Sequence, residues 1–337
     1  MKALVFQGPG QAGILSVAEP SNADGHLLLK VRMVGLCGSD LNSFRGQNPL
    51  ISYPRIPGHE IAATVVENFS KHSALAIGTD VAVSPYTDCG KCASCRRGRP
   101  NACQFNETMG VQRDGALTEY IIVPPERLYP AKLSLEELCL VEPLTVGFHA
   151  VARGRVTAED IVAVLGCGGV GLGAIAAASS RGAKTISIDI DDDKLALARL
   201  AGGLHGIHSL REPLHERLLE LTDGRGPDVA IEAAGRPETF RAAVEEVAYT
   251  GRVVFIGYAK EPVTYETRRF VQKELDVLGS RNAQPEDFRA VIELLEARRF
   301  PVEEAVSLMV SLEEVPAAMS SWSDNPPQFK KIMVHLD

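Results

Sequence analysis

The chain has 337 residues, 23% of them charged, and a formal net charge of −8 at pH 7. That negative balance argues against nucleic acid as the main partner. The sequence has no apolar run of about eighteen residues or more and no charged-then-apolar leader, so it predicts neither a membrane span nor a signal peptide, and we expect a cytoplasmic protein without a membrane partner. A length beyond the usual size of one hydrophobic core predicts two domains.

The first part of the chain predicts antiparallel β structure. From residue 1 to about 34, short apolar runs such as KALVF and HLLLKVRMVG are separated by turn residues. Cys37 follows in GLCGSD, and His59 and Glu60 come about twenty residues later in PGHE. Sulfur, imidazole and carboxylate together suit a zinc ion that keeps one position for substrate. Each residue alone also has an ordinary structural explanation, such as a buried Cys that behaves as a small hydrophobe.

A second group of cysteines lies in one short loop. The sequence CGKCASCRRGRPNAC separates them by two, two and seven residues, and the chain has seven cysteines in all, an odd number that favours metal binding over disulfides. Four thiolates in such a loop predict a closed structural zinc site. An iron–sulfur cluster is the alternative, although ferredoxins with the same start continue with a gap of about three residues and a Pro. The predicted ligands are Cys89, Cys92, Cys95 and Cys103.

The stretch 162–189 predicts a strand, a phosphate-binding turn, a helix and a second strand. An apolar run at 162–165 suits a buried strand, and GCGGVG then supplies the G-x-G-x-x-G spacing. A bare glycine motif can be a structural tight turn, but the flanking strand and the Ala-rich helix favour a dinucleotide site, with the phosphates at the helix N-terminus. The predicted contacts are Gly166, Gly168, Gly169, Val170 and Gly171.

Asp189 closes this unit at the end of the predicted second strand. A carboxylate about twenty residues after the glycine turn accepts hydrogen bonds from the adenosine ribose and repels a 2′-phosphate. Ile190 rather than Arg follows Asp189, which favours NAD over NADP, although Lys194 is nearby in the sequence.

The remainder predicts a mainly parallel sheet. Helices are predicted at DDDKLALARLAG, PETFRAAVEEVA and PEDFRAVIELLEARR. Strands are predicted between them at VAIEAAG, RVVFIG and LDVLGS, and a final strand is predicted at KKIMVHL. Because ligands bind outside the carboxyl ends of such strands, we expect Ala234, Ile256 and Ser280 to lie near the nicotinamide half of the cofactor. The fold class predicted is therefore α/β.

Taken together, these motifs resemble the zinc-dependent medium-chain dehydrogenases, in their sorbitol and threonine dehydrogenase branch. CGSD, GHE, the four-cysteine lobe, EPL and the dinucleotide unit occur in that order along essentially the whole chain. The resemblance implies a GroES-like β catalytic domain at 1–148 with a structural zinc lobe at about 86–105. A Rossmann NAD-binding domain, a doubly wound parallel sheet, would occupy 149–282, and 283–337 would return to the catalytic domain.

The resemblance also implies roles for residues. Cys37, His59 and Glu60 become ligands of a catalytic zinc, and Glu142 becomes a fourth ligand or a partner of water on the zinc. Asp40 would orient His59. The sequence departs from the family at Asn42, where a proton-relaying His is frequent, so the proton route would pass through Ser39, the ribose and water, or through Glu60 or Glu142.

Three local sequence matches narrow the predicted class of substrate. GQNPLISYPRIPGHE, MGVQRDGALTEY and KELDVLGSRNAQPEDF resemble bacterial dehydrogenases that oxidise the C5 hydroxyl of hexonates such as L-galactonate or L-gulonate. We therefore predict a homo-oligomeric enzyme, a dimer or tetramer, that transfers hydride between such a small-molecule substrate and NAD. Arg281 would bind the carboxylate, or else it pairs structurally with loop carbonyls. A sorbitol-like polyol dehydrogenase and a non-catalytic zinc- and nucleotide-binding regulator are the alternatives.

Overall fold

The computed structural model describes residues 1–21, 23–71 and 73–336. The chain divides into two compact units. The first comprises Met1–Glu142, Ile292–Ala297 and Val302–Asp337, and the second comprises Pro143–Val291 and Arg298–Pro301. None of the helices in these ranges combines the length and apolar character that a membrane crossing requires. The domain limits predicted from the sequence stay a prediction.

Strands predominate up to residue 130, and helices and strands alternate through most of the rest of the chain. The elements up to residue 153 are β1 (Lys2–Gly8), β2 (Gln11–Ser16), β3 (Leu27–Leu36), α1 (Gly38–Phe44), β4 (Glu60–Asn68), β5 (Asp80–Val83), β6 (Tyr120–Val123), β7 (Leu128–Pro130) and α2 (Leu135–Arg153). Those that follow are β8 (Ile161–Leu165), α3 (Gly169–Ser180), β9 (Lys184–Asp189), α4 (Asp192–Leu200), β10 (His205–His208), α5 (Leu214–Leu221), β11 (Val229–Glu232), α6 (Pro237–Glu246), β12 (Arg252–Phe255), α7 (Arg268–Gln272), β13 (Asp276–Gly279), α8 (Pro285–Glu296), α9 (Val302–Ala305), β14 (Leu308–Ser311), α10 (Val315–Asp324) and β15 (Ile332–His335).

The first unit is built on a seven-stranded sheet. Six of its strands follow the order β14-β15-β3-β4-β5-β7, and β6 also pairs with β3. Burial alternates along the first part of β3, which sends Leu27, Leu29 and Val31 into the core. The predicted final strand is confirmed as β15, which pairs antiparallel with β3 from Ile332 opposite Leu36. The end of the chain therefore completes the centre of this sheet.

The second unit contains a six-stranded parallel sheet. Its order, β10-β9-β8-β11-β12-β13, reverses direction between β8 and β11, as in a doubly wound fold. Both faces are covered, so β11 is fully buried and reads as a continuous apolar run that ends in Glu232. The predicted α/β class with a parallel sheet is confirmed. Strand β10, whose sequence HGIH has little apolar character, was not predicted.

The turn between β8 and α3 explains the glycine spacing. Gly166 has φ +99°, in the region that favours glycine, and a Cβ added to Gly171 would lie 1.8 Å from the carbonyl oxygen of Gly166. Gly168 differs from both. It has φ −71° and open space where a Cβ would be. The protein's own packing thus requires glycine at 171 but not at 168.

We expect Gly171→Ala to lower the free energy of unfolding by about 3 kcal/mol or more, because its Cβ must displace backbone. Gly168→Ala is the matched control. It should change that free energy by less than about 1 kcal/mol, since the new side chain meets no atom and the restriction of the unfolded chain offsets the poorer N-cap preference of Ala. Urea unfolding followed by circular dichroism checks both variants, and equal midpoints would contradict the close packing of α3 on the turn.

Candidate functional site

Three predicted zinc ligands meet in the first unit. One ligand atom each from Cys37, His59 and Glu60 lies within 4.8 Å of the others. Cys37 is the N-cap residue of α1, His59 immediately precedes β4, and Glu60 begins that strand. Strand β3 pairs with β4, with Gly35 opposite Glu60, and ends one residue before Cys37. This pairing brings Cys37 close to Glu60.

Asp40 holds the two loops of this site together. Its buried carboxylate accepts hydrogen bonds from the backbone N–H groups of Cys37 at 2.9 Å and Gly58 at 3.4 Å. Its Oδ1 also lies 3.7 Å from Nδ1 of His59. Burial raises the pKa of Asp40, while His59 and the two N–H donors act in the opposite direction. That Asp40 orients the His59 imidazole stays a prediction.

The ammonium group of Lys331, a residue that was not predicted from the sequence, donates hydrogen bonds to the Glu60 carboxylate. Its Nζ lies 2.7 and 2.6 Å from the two Glu60 oxygens and 3.3 Å from the carbonyl oxygen of Leu36. Lys331 and Glu60 are both buried. Burial alone would lower the pKa of Lys331, but Glu60 and Cys37 raise it above its usual range, so the ammonium group remains charged.

Glu142 lies outside the group of three ligand atoms, among the residues that the structure describes. Glu142 is buried, and one of its carboxylate oxygens accepts a hydrogen bond from the hydroxyl of Tyr86. Tyr86 was not predicted from the sequence either. Burial raises the pKa of Glu142 to about 7, against a lowering by His59. Ser39 is beside the site as predicted, with its Oγ 3.4 Å from Nε2 of His59.

The side chains present fit a zinc ion. Thiol, imidazole and carboxylate are the donor types that zinc prefers. His59 Nδ1 is buried without a hydrogen-bond partner in the described part of the chain and faces Asp40. Acidic groups also outnumber cations here: Asp40, Glu60 and Glu142 are buried around the ligand group, and Lys331 neutralises one of them. A divalent cation would balance that charge.

The four-cysteine loop forms a second metal-binding group. Its four sulfur atoms lie within 4.8 Å of one another, and every cysteine that the structure describes is free of disulfides. The Sγ of Cys92 is 3.5 Å from that of Cys95, and backbone N–H groups donate to the sulfurs of Cys89 and Cys103 at 3.3 Å. Ser94 and neighbouring N–H groups lower the pKa of Cys92 to about 5. Backbone N–H groups also lower the pKa of Cys89, whereas burial raises the pKa of Cys95 to about 11. The approach of the four sulfur atoms, rather than their pKa values, therefore supports the predicted structural zinc site.

The second unit places the predicted dinucleotide contacts at the carboxyl edge of its sheet. Gly168 is the N-cap residue of α3, and Gly166 and Gly171 pack against each other beside it. Asp189 ends β9, and its carboxylate accepts hydrogen bonds from the N–H groups of Cys167 and Ile190, both at 2.7 Å. The ribose-binding candidate is thus bonded to the phosphate-binding turn.

The other predicted contacts follow the remaining strands. Ile256 comes directly after β12 and Ser280 directly after β13, and Ala234 is the second residue after β11. Arg281 comes next to Ser280 and is half-buried. These positions all lie at the edge where doubly wound folds bind ligands. Glu232, at the end of β11, was not predicted as a functional residue.

Comparisons with known proteins agree with this geometry. Residues 23–133 match the family model for an alcohol dehydrogenase GroES-like domain, and 169–297 match that for a zinc-binding dehydrogenase. The sorbitol dehydrogenase of Bacillus subtilis is 32% identical over 99% of this chain and 97% of its own. The L-galactonate-5-dehydrogenase of Escherichia coli is 32% identical over 88% of this chain and 87% of its own.

The chain belongs to the zinc-binding alcohol dehydrogenase family. A crystal structure of an E. coli member, RspB, in complex with NADH has a TM-score of 0.91, with 28% identity over 100% of this chain and 99% of that one. The protein is accordingly a zinc- and NAD-dependent oxidoreductase that acts on CH–OH groups. The regulator alternative, which requires a broken zinc site, is not supported.

For this zinc-binding alcohol dehydrogenase we expect two zinc ions per chain with different roles. Cys37→Ser and His59→Ala should abolish turnover yet leave a folded protein that retains one zinc. Cys95→Ser should lower the melting temperature first, because a closed four-thiolate site stabilises its loop. Elemental analysis, circular dichroism melting and an activity assay measure the three effects. An equal loss of fold in all three variants would contradict the division of roles.

We expect Lys331→Met to lower the free energy of unfolding by about 3–5 kcal/mol, because it leaves the Glu60 carboxylate buried without its counter-ion. Lys331→Arg keeps the charge and is the control, with a smaller loss. Urea unfolding measures the difference in a Cys37→Ser background that retains only the structural zinc, because zinc bound at Cys37, His59 and Glu60 would itself be a counter-ion for Glu60. A loss below about 1 kcal/mol in the Met variant, the size of an exposed ion pair, would show that Glu60 does not depend on Lys331.

Proposed function

We propose that the protein oxidises a secondary hydroxyl of a hexonate, such as L-galactonate or L-gulonate, with NAD+ as hydride acceptor. The observation that carries this proposal is the 32% identity to L-galactonate-5-dehydrogenase over 88% of the chain, in a protein that keeps the Cys37, His59 and Glu60 donor set. The local sequence matches to hexonate dehydrogenases support the same substrate class.

The predicted site residues of the first unit each have a part in this reaction. Cys37, His59 and Glu60 hold the zinc, with Glu142 beside them, and Asp40 keeps the His59 ring in place. Zinc, when bound, supplies a Lewis acid that lowers the pKa of an alcohol. Asn42 cannot relay the hydroxyl proton by titrating. The proposed route therefore passes through Ser39, whose Oγ lies 3.4 Å from His59 Nε2, with the ribose and water, or through Glu60 or Glu142.

The second unit holds the cofactor. We assign the pyrophosphate to the N-terminus of α3 and the adenosine ribose to Asp189. Asp189 is fixed by two N–H donors and carries a negative charge, which supports NAD+ over NADP+. Ala234, Ile256 and Ser280 are assigned to the nicotinamide half. Holding the carbinol carbon against that ring is what accelerates hydride transfer.

Arg281 is the residue proposed to bind the substrate carboxylate. Its guanidinium fork suits a carboxylate, and it lies two residues after β13 at the carboxyl edge of the sheet. Arg55 and Arg113 both lie in the first unit. Arg55 pairs with Asp114 at 3.1 Å, and Arg113 donates to the carbonyl oxygens of Glu107 and Pro85 at 3.2 Å.

A neutral polyol is the second candidate substrate. The observation in its favour is the 32% identity to the sorbitol dehydrogenase of B. subtilis over 99% of the chain. A polyol has no carboxylate and needs no cation in the pocket. The predicted homo-oligomer, a dimer or tetramer, belongs to the proposal for either substrate.

The test is a kinetic screen of hexonates and matched polyols with NAD+ and NADP+ under zinc-replete conditions. We expect a hexonate and NAD+ to give the highest kcat/KM. Arg281→Lys should raise KM for the hexonate about tenfold and for the matched polyol less than about twofold, because Lys keeps the charge and loses the fork. Arg211→Lys is the control, since its side chain is 65% exposed and pairs with Asp192 on the surface.

Three outcomes would contradict parts of the proposal. A wild-type preference for sorbitol over every hexonate would favour the polyol candidate. Equal effects of Arg281→Lys on both substrates would make Arg281 structural. Equal use of NADP+ would show that Asp189 does not exclude the 2′-phosphate.

A further inference from the structure

Glu232 is a fully buried carboxylate at the carboxyl edge of the second unit's sheet. It ends β11, between β8 and β12, at the point where the strand order reverses. Its Oε1 accepts hydrogen bonds from the N–H groups of Ala234 at 2.9 Å and Gly235 at 2.7 Å, and the hydroxyl of Thr239 in α6 lies 2.7 Å away. One side-chain oxygen therefore fixes the whole β11–α6 loop.

The backbone of Glu232 fixes the next loop along the sheet. Its carbonyl oxygen accepts from the N–H groups of Ile256 at 2.9 Å and Gly257 at 3.3 Å. A Cβ added to Gly257 would lie 2.4 Å from Glu232 Oε2 and 2.5 Å from the Gly235 nitrogen, so the two loops are in direct contact. Glu232 is thus a single residue that ties together the loops that carry Ala234 and Ile256.

Burying a carboxylate in this position costs free energy, because the charged group loses its contacts with water. Burial raises the pKa of Glu232 above its usual value, and the surrounding donors offset only part of that rise. Its Oε2 is buried and has no hydrogen-bond partner among the residues that the structure describes. The negative charge strengthens the bonds to Oε1, which an amide would make more weakly while placing a donor at Oε2.

We propose that Glu232 is a positioning residue for the nicotinamide half of NAD. It holds Ala234 and Ile256 in one rigid frame before the cofactor binds, so that little ordering remains to be done on binding. The proposal rests on the assignment of those two residues to the nicotinamide half. It is independent of which alcohol the enzyme oxidises.

The experiment compares NADH with ADP-ribose, which lacks the nicotinamide ring. Dissociation constants are measured by fluorescence and calorimetric titration of the zinc-loaded protein without substrate. We expect Glu232→Gln to weaken NADH binding about tenfold and ADP-ribose binding less than about twofold. Thr239→Val removes one donor at constant volume, and should weaken NADH binding about threefold with the same selectivity.

Glu238→Gln is the matched control, because Glu238 lies in the first turn of α6 with its side chain 72% exposed. It should leave both dissociation constants unchanged. Equal weakening of NADH and ADP-ribose by Glu232→Gln would make Glu232 a structural residue of the unit, and no weakening of either would remove its role altogether. If Glu232→Gln fails to fold, the selectivity of Thr239→Val alone decides. Failure of the hexonate proposal would appear in the substrate screen and leave these binding results untouched.

Discussion

The buried ion pair between Glu60 and Lys331 is the interaction on which the first unit depends. It joins the first residue of β4 to the residue just before β15, and the two are 271 positions apart in the sequence. Two buried charges are stable only when they meet with good geometry, so this pair constrains the register of the central strands β15, β3 and β4. The same carboxylate is a candidate zinc ligand. Sheet register and ligand position are therefore set together.

Carboxylates that accept backbone N–H groups recur at both candidate sites. Asp40 accepts from Cys37 and Gly58, and Asp189 accepts from Cys167 and Ile190. Glu232 does the same for its own loop. Loop backbone must find partners for its polar groups, and a buried carboxylate provides several strong acceptor sites from one residue. These hydrogen bonds fix the loops without additional helices or strands.

Much of this arrangement could be predicted because its signals are local. The glycine spacing before α3 reflects the contact between positions 166 and 171, and the spacing of the four cysteines reflects one loop. Lys331 and Tyr86 were missed for the opposite reason, since their partners are distant in the sequence and meet them only in the folded unit. Strand β10 was missed because HGIH carries no strand pattern, although it pairs in register with β9.

The place of β15 in the sheet also determines when the first unit can form. Its strand lies between β14 and β3, so three neighbouring strands come from opposite ends of the chain, with most of the second unit between them in sequence. Contacts of such long sequence separation form late, because a large loop must close first. During synthesis the second unit can fold on the ribosome while the first is still missing a central strand. Until β15 arrives with Lys331, residues 33–36 of β3 have no partner strand on one edge and Glu60 lacks its counter-ion. Such unpaired edges and uncompensated groups make a nascent chain prone to aggregation.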